Sequence, residues 1–157
     1  MLPWRRRGDP PPETPCRILL ASTGTPFTPE AIERAGDLAG DGRVGVIIIA
    51  RLHGYAFGLP NPGLLPTKKE RDAQRAIVQA AIDRLAARDI EADGEVAITR
   101  AEAKTIANTA KRRQVATVVM DANPAPRWRR LIEGDAVVGV GRRLGKIGAE
   151  LVVVDPP

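Results

Sequence analysis

The chain predicts an α/β fold: a single doubly wound, three-layer domain built on a five-stranded parallel sheet. Three observations predict it. Five short apolar runs between residues 17 and 154 are separated by four segments of helical character. One of those runs, Val44 to Ala50, is almost continuously apolar, the pattern of a strand buried on both faces of a parallel sheet. Strands alternating with helices require crossover connections, which place helices on both faces of the sheet.

The size and composition agree. A chain of 157 residues suits one domain, and 43% apolar content with only 3% aromatic content gives a core of Ala, Val, Ile and Leu. Cys16 stands alone, which excludes an internal disulfide. With a single histidine, His53, the chain has no cluster of metal-ligating residues. A reducing cytoplasm is the expected compartment. No stretch approaches the roughly 20 apolar residues of a membrane span. The basic start Arg5-Arg6-Arg7 leads into Gly8-Asp9-Pro10-Pro11-Pro12 and is not expected to act as a secretory signal. Residues 1–15, rich in Pro and Arg, are expected to form a disordered tail, and residues 16–157 the folded domain.

Along the chain, Arg17 to Ser22 is a short apolar run closed by Thr23-Gly24-Thr25-Pro26, a strand meeting a turn. Thr28 then offers an N-cap, Pro29 a first helical residue, and Glu30 and Glu33 charge for the helix dipole. Ile32, Ala35, Leu38 and Ala39 form the apolar stripe, and Gly40 ends the helix. After the strand Val44 to Ala50, the Gly- and Pro-rich stretch from Arg51 to Pro66 reads as an irregular excursion that covers a site or a partner surface. In it Tyr55, Phe57 and Leu59 are expected to pack over the sheet edge.

Thr67 and Glu70 make a capping box for a long helix whose stripe is read as Ala73, Ala76, Ile77, Ala80, Ala81 and Leu85. Glu95 to Ile98 reads as the third strand, and Thr99 with Glu102 as a second capping box. The helix it opens is expected to bury Ala103, Ile106, Ala107 and Ala110. Val115 to Met120 is the fourth strand. The last helix runs from Gly134 to about Lys146, weakened by Gly139 and Gly141 at about 1 kcal/mol each. Leu151 to Val154 is the fifth strand.

Between the fourth strand and the last helix lies Asp121-Ala122-Asn123-Pro124, nine residues, then Gly134-Asp135. The element order, the Ile18 to Thr25 turn, the long gap after the second strand and this loop spacing together resemble the universal stress protein family over residues 16–155. There the loop reads Gly-x-x-Gly, nine residues, then Gly-Ser or Gly-Thr. The resemblance implies an adenine nucleotide alpha-hydrolase-like, Rossmann-like domain of strand order 3-2-1-4-5, so that the turn Ser22 to Thr25 faces the loop from Asp121 to Gly134. It also implies a homodimer paired through Leu151, Val152, Val153 and Val154 of the last strand.

The family's ATP chemistry is altered in this chain. Glycines let backbone amides close on phosphate oxygens, whereas Asp121 and Pro124 stand at the two glycine positions and proline removes an amide. Asp135 stands at the hydroxyl position, read here as an N-cap, and Thr23 where the family carries an aspartate before Gly24-Thr25. Like charges about 4 Å apart repel by roughly 1 to 4 kcal/mol, so two carboxylates beside a triphosphate oppose it.

The expectation is therefore a non-catalytic regulatory or stress-related domain that acts through an unidentified protein partner, with no cofactor and no ATP bound through the usual loop. The alternative is a module for an adenine nucleotide or small anion in the same crevice, with Arg127, Arg129 and Arg130 supplying charge. Ser22, Thr23 and Thr25 read as capping hydroxyls, His53 as an exposed loop residue and Cys16 as a small buried thiol, so no catalytic residue is assigned. The net charge of +5 includes the clusters Lys111-Arg112-Arg113, Arg127-Trp128-Arg129-Arg130 and Arg142-Arg143. They lie on different elements, with balancing acids on the long helix. They are read as surface charge and not as a nucleic-acid or membrane site, and Trp128 as covering a seam beside the last helix.

Overall fold

The computed structural model describes residues 14–51, 67–123, 128 and 135–155. The expectations for residues 1–13, for the excursion at 52–66 and for Pro124, Arg127, Arg129, Arg130 and Gly134 lie outside the described residues. The elements are β1 (Ile18–Ser22), α1 (Pro29–Ala39), β2 (Val44–Arg51), α2 (Lys68–Ala86) and β3 (Ala92–Thr99). Then follow α3 (Glu102–Arg112), β4 (Thr117–Asp121), α4 (Ala136–Ile147) and β5 (Glu150–Val154).

All strand pairs are parallel and the order is β3-β2-β1-β4-β5, as expected. The period-two alternation of the central strands divides their side chains between two cores. Ile18 and Leu20 of β1 and Val44, Val46 and Ile48 of β2 pack under α1 and α2 against Ile32, Ala35, Val78 and Leu85. Leu19, Ala21, Ile47, Ile49, Val118 and Met120 pack under α3 and α4 against Ile106, Ala110, Val140 and Leu144. β1 and β2 are buried on both faces because they lie inside the sheet, which is why their sequences are nearly free of polar residues.

The helix-start signals are realised in part. The side chain of Thr28 accepts from the Ala31 amide, and the Thr67–Glu70 capping box forms with both of its bonds. The second box does not form: Thr99 closes β3, Ala101 is the N-cap of α3, and Glu102 is the first helical residue. The Thr99 hydroxyl instead accepts from the Ala101 amide at 3.0 Å, a local turn that competes with capping. The buried stripe of α2 is Val78, Ala81 and Leu85, with Ala73, Ala76 and Ala80 exposed. Alanine favours a helix on any face, so branched residues mark the inward side and alanines do not.

The structure also corrects the reading of Arg113, within the cluster Lys111-Arg112-Arg113, as surface charge, while Lys111 and Arg112 are exposed. Arg113 is 1% exposed and donates to both carboxylate oxygens of Asp93, at 2.7 and 2.5 Å, and to the Thr14 carbonyl at 2.8 Å. Its guanidinium lies across Gly45, where a Cβ would stand 2.5 Å from Nη1. Arg43 approaches Asp93 at 3.6 Å and Glu91 at 2.6 Å, and Arg112 approaches buried Glu95 at 3.7 Å. Burial works against the charge of Arg113, but the hydrogen bonds to Asp93 outweigh it and the pKa is raised. These pairs explain why β3 begins at Ala92 rather than Glu95. Asp93 lies outside the run Glu95 to Ile98 that reads as the third strand, and its partner comes from the C-terminal end of α3.

Gly139 and Gly141 have a packing role besides their cost in helix propensity. A Cβ on Gly139 would stand 3.0 Å from that of Ala103, and one on Gly141 would stand 3.3 Å from Leu151 Cδ2, so the bare positions let α4 lie close to α3 and β5.

Candidate functional site

The carboxyl ends of β1 and β4 lie side by side, with Ala21 paired to Met120, at the point where the strand order reverses. The turn after β1 and Asp121 at the end of β4 start from that junction. After β1 the chain turns through Gly24, whose φ of +110° excludes a side chain at low cost. The Ser22 hydroxyl donates to the Thr25 carbonyl at 2.6 Å and lies 3.3 Å from the Thr25 hydroxyl. Ser22 is buried, Thr23 and Gly24 half-buried, and Thr25 exposed. The turn thus uses Ser22 to hold itself, as its reading as a capping hydroxyl anticipated.

Asp121 is the last residue of β4, not the first of a loop. Its carboxylate crosses to the start of α1, where Oδ2 accepts from the Thr28 amide at 3.0 Å and Oδ1 from the Thr28 hydroxyl at 2.5 Å. The Thr28 oxygen in turn accepts from the Ala31 amide at 3.1 Å. A helix N-terminus presents unpaired N–H groups and partial positive charge, and is a ready place for an anion. Here the anion is the protein's own side chain.

The same device recurs at α4. Asp135 is its N-cap, accepting from the Val137 amide at 3.0 Å, as the sequence predicts. Thus both residues that stand in place of glycine and hydroxyl positions end as carboxylates at helix N-termini. Asn123 is half-buried and also engaged. Trp128 is 60% exposed and does not bury itself in a seam.

One site residue escaped the sequence reading. Gln74 lies one turn before Val78 on the inward stripe of α2, and its Nε2 reaches the Gly24 carbonyl at 3.5 Å. Its Oε1 is buried and has no hydrogen-bond partner among the described residues. A buried acceptor left unpaired costs about 1 to 3 kcal/mol. The signal was available in principle: Gln74 precedes Val78, Ala81 and Leu85 at spacings of four, seven and eleven, a polar residue on the buried face.

β5 lies at the edge of the sheet. β5 pairs only with β4 among the described strands, from Thr117 opposite Glu150 to Asp121 opposite Val154. Leu151, Val152 and Val154 are half-buried and Val153 is 40% exposed. Cys16, at the other end of the sheet, is buried, and burial pushes its thiol pKa up, only partly opposed by Arg113. No described helix is long and apolar enough to cross a membrane.

No family model and no curated protein matches the chain. Solved structures do. A universal stress protein crystallised in complex with cAMP superposes with a TM-score of 0.64 at 16% identity, covering 90% of this chain and 98% of that one. A universal stress protein family member from Burkholderia pseudomallei superposes with a TM-score of 0.58 at 14% identity, covering 87% and 94%. A universal stress protein from Archaeoglobus fulgidus in complex with dAMP gives 0.53 at 12% identity, covering 88% and 96%. The fold is therefore that of the universal stress proteins, over nearly their whole length.

Proposed function

We propose that this universal stress protein-like domain is non-catalytic, acts in regulation or stress protection through protein contacts, and binds no ATP at the carboxyl end of its sheet. The observation that carries this reading is the Asp121 carboxylate bonded to both the amide and the hydroxyl of Thr28. It fills the N-terminus of α1 with fixed negative charge, and Asp135 does the same at α4. A triphosphate there would displace charge-assisted bonds and meet two carboxylates instead of free amides. The hydroxyl and thiol that a nucleophilic mechanism would need are otherwise engaged: Ser22 holds the turn, and Cys16 is buried with a raised pKa.

A homodimer paired through β5 completes the proposal. An edge strand with an exposed Val153 and no charge from Leu151 to Val154 is suited to pairing with its own copy. A dimeric mass at micromolar concentration in light scattering is expected, and a monomeric mass would remove this part. The reading assigns the protein to a reducing cytoplasm, on its lone buried thiol.

The second reading is an adenine nucleotide or small-anion module. It is favoured by the neighbours crystallised with cAMP and dAMP. Thermal denaturation with AMP, cAMP and ATP separates the two. A ligand at 100 times its dissociation constant adds about 2.7 kcal/mol, which for a domain of this size raises Tm by about 5 to 10 °C. The proposed function expects no shift at millimolar nucleotide. A shift of that size would establish the second reading.

A further inference from the structure

The two helical layers differ in charge. α1 and α2, on one face of the sheet, contain six basic and six acidic residues. α3 and α4, packed together on the other face, contain six basic residues and one acidic. One helical layer therefore carries a net charge equal to the +5 of the whole chain. The acids of the long helix α2, which balance the basic clusters along the sequence, lie across the sheet from them.

All six cations are exposed, and five of them are Lys104 and Lys111 of α3 and Arg142, Arg143 and Lys146 of α4. None of the five forms an ion pair among the described residues. The sixth, Arg112, approaches Glu95 at 3.7 Å. The acids near this layer are Glu102 and the α4 N-cap Asp135, each with partners of its own; Asp93 and Glu95, which face Arg113 and Arg112; and Glu150 at the start of β5. The sequence disperses these cations over two elements, and the contact of α3 with α4, permitted by Gly139 against Ala103, gathers them on one face.

We propose that the outer face of α3 and α4 binds the phosphate backbone of double-stranded nucleic acid without reading its sequence. The face offers point charges on a rigid pair of helices, and α4 alone spans about 18 Å, along which a duplex presents a phosphate every ~1.7 Å. An anionic bilayer is the less suitable polyanion. The exposed aliphatics of this layer, Val138 at 56% and Ile147 at 38%, stand at opposite ends of α4, so no apolar stripe enters an acyl layer. The inference does not depend on the crevice at the other end of the strands.

The test is fluorescence anisotropy of a labelled duplex of about 20 base pairs titrated with the full chain over a salt series. Five phosphate contacts give a slope of log affinity against log salt of about −4 to −5, so that tripling the salt weakens binding on the order of 100-fold. Arg142→Glu with Arg143→Glu should weaken binding more than about tenfold and reduce the slope by about two. The control with the same change in net charge, Lys68→Glu with Lys69→Glu on α2, should weaken it far less. Both pairs are exposed, and circular dichroism verifies their folding. Equal losses in the two variants would show attraction by net charge alone and overturn the proposal. So would binding to phosphatidylcholine–phosphatidylserine vesicles with none to the duplex.

Discussion

Replacing Arg113 with Met should destabilise the protein more than any exposed charge substitution. Arg113 is 1% exposed and makes two bonds to Asp93 and one to the Thr14 carbonyl. Methionine keeps much of the volume and removes all three. Asp93, whose side chain is 11% exposed, is then left with Arg43 at 3.6 Å. Breaking a buried pair by removing one partner costs about 3 to 5 kcal/mol, because the surviving charge is uncompensated. For a domain of this size that is about 6 to 20 °C in Tm and a large share of a total near 5 to 15 kcal/mol. Adding Asp93→Val to Arg113→Met removes the orphaned charge and should recover stability, with a coupling of at least about 2 kcal/mol. Urea unfolding followed by circular dichroism reads both effects, provided m stays constant. A cost below about 1 kcal/mol for Arg113→Met would place the pair among ordinary surface bridges and refute the reasoning, as would strictly additive effects.

Three further outcomes follow from the same geometry. Gly45→Ala puts a Cβ 2.5 Å from Arg113 Nη1 and 3.0 Å from Cys16 Sγ. Because Asp93 and Thr14 pin the guanidinium, the change should cost about 1 to 3 kcal/mol in urea unfolding, and Arg113→Met should relieve part of it. Burial raises the Cys16 pKa, so above the ordinary thiol range, about 8.5, the unfolded chain loses this proton first and binds fewer protons than the folded one. The contribution of Cys16 is thus fully present below that range and lost as pH rises through the folded pKa. Stability measured across it should fall less in Cys16→Ala than in the native chain. Thr67→Ala removes a formed capping box and should lower stability by about 1 kcal/mol, readable as a lower Tm.

The parts of the fold that were legible in the sequence are those where local chemistry and burial agree. Val44 to Ala50 is apolar because β2 is covered on both faces, and Thr28-Pro29 and Thr67 to Glu70 cap real helices. What was not legible depended on partners distant in the chain. Asp93 falls outside the run of the third strand until Arg113 is folded against it, and Thr99 looks like a cap until β3 is extended through it. In the candidate site, the loop spacing singled out Asp121 and Asp135, and Asp135 as an N-cap. That Asp121 bonds Thr28 is a contact between residues 93 apart, which no spacing encodes. Gln74 was hidden by the alanines around it, which blurred the inward face of α2.

The start of α1 is already occupied by the Asp121 carboxylate. The most direct measurement of this is nitrogen-15 edited NMR of the Thr28 and Ala31 amides while ATP is raised to millimolar concentration. Both resonances should stay in place, and Asp121→Ala should move the Thr28 amide by removing its acceptor at 3.0 Å. Progressive, saturable movement of the Thr28, Ala31 and Gly24 amides with ATP in the native chain would contradict it.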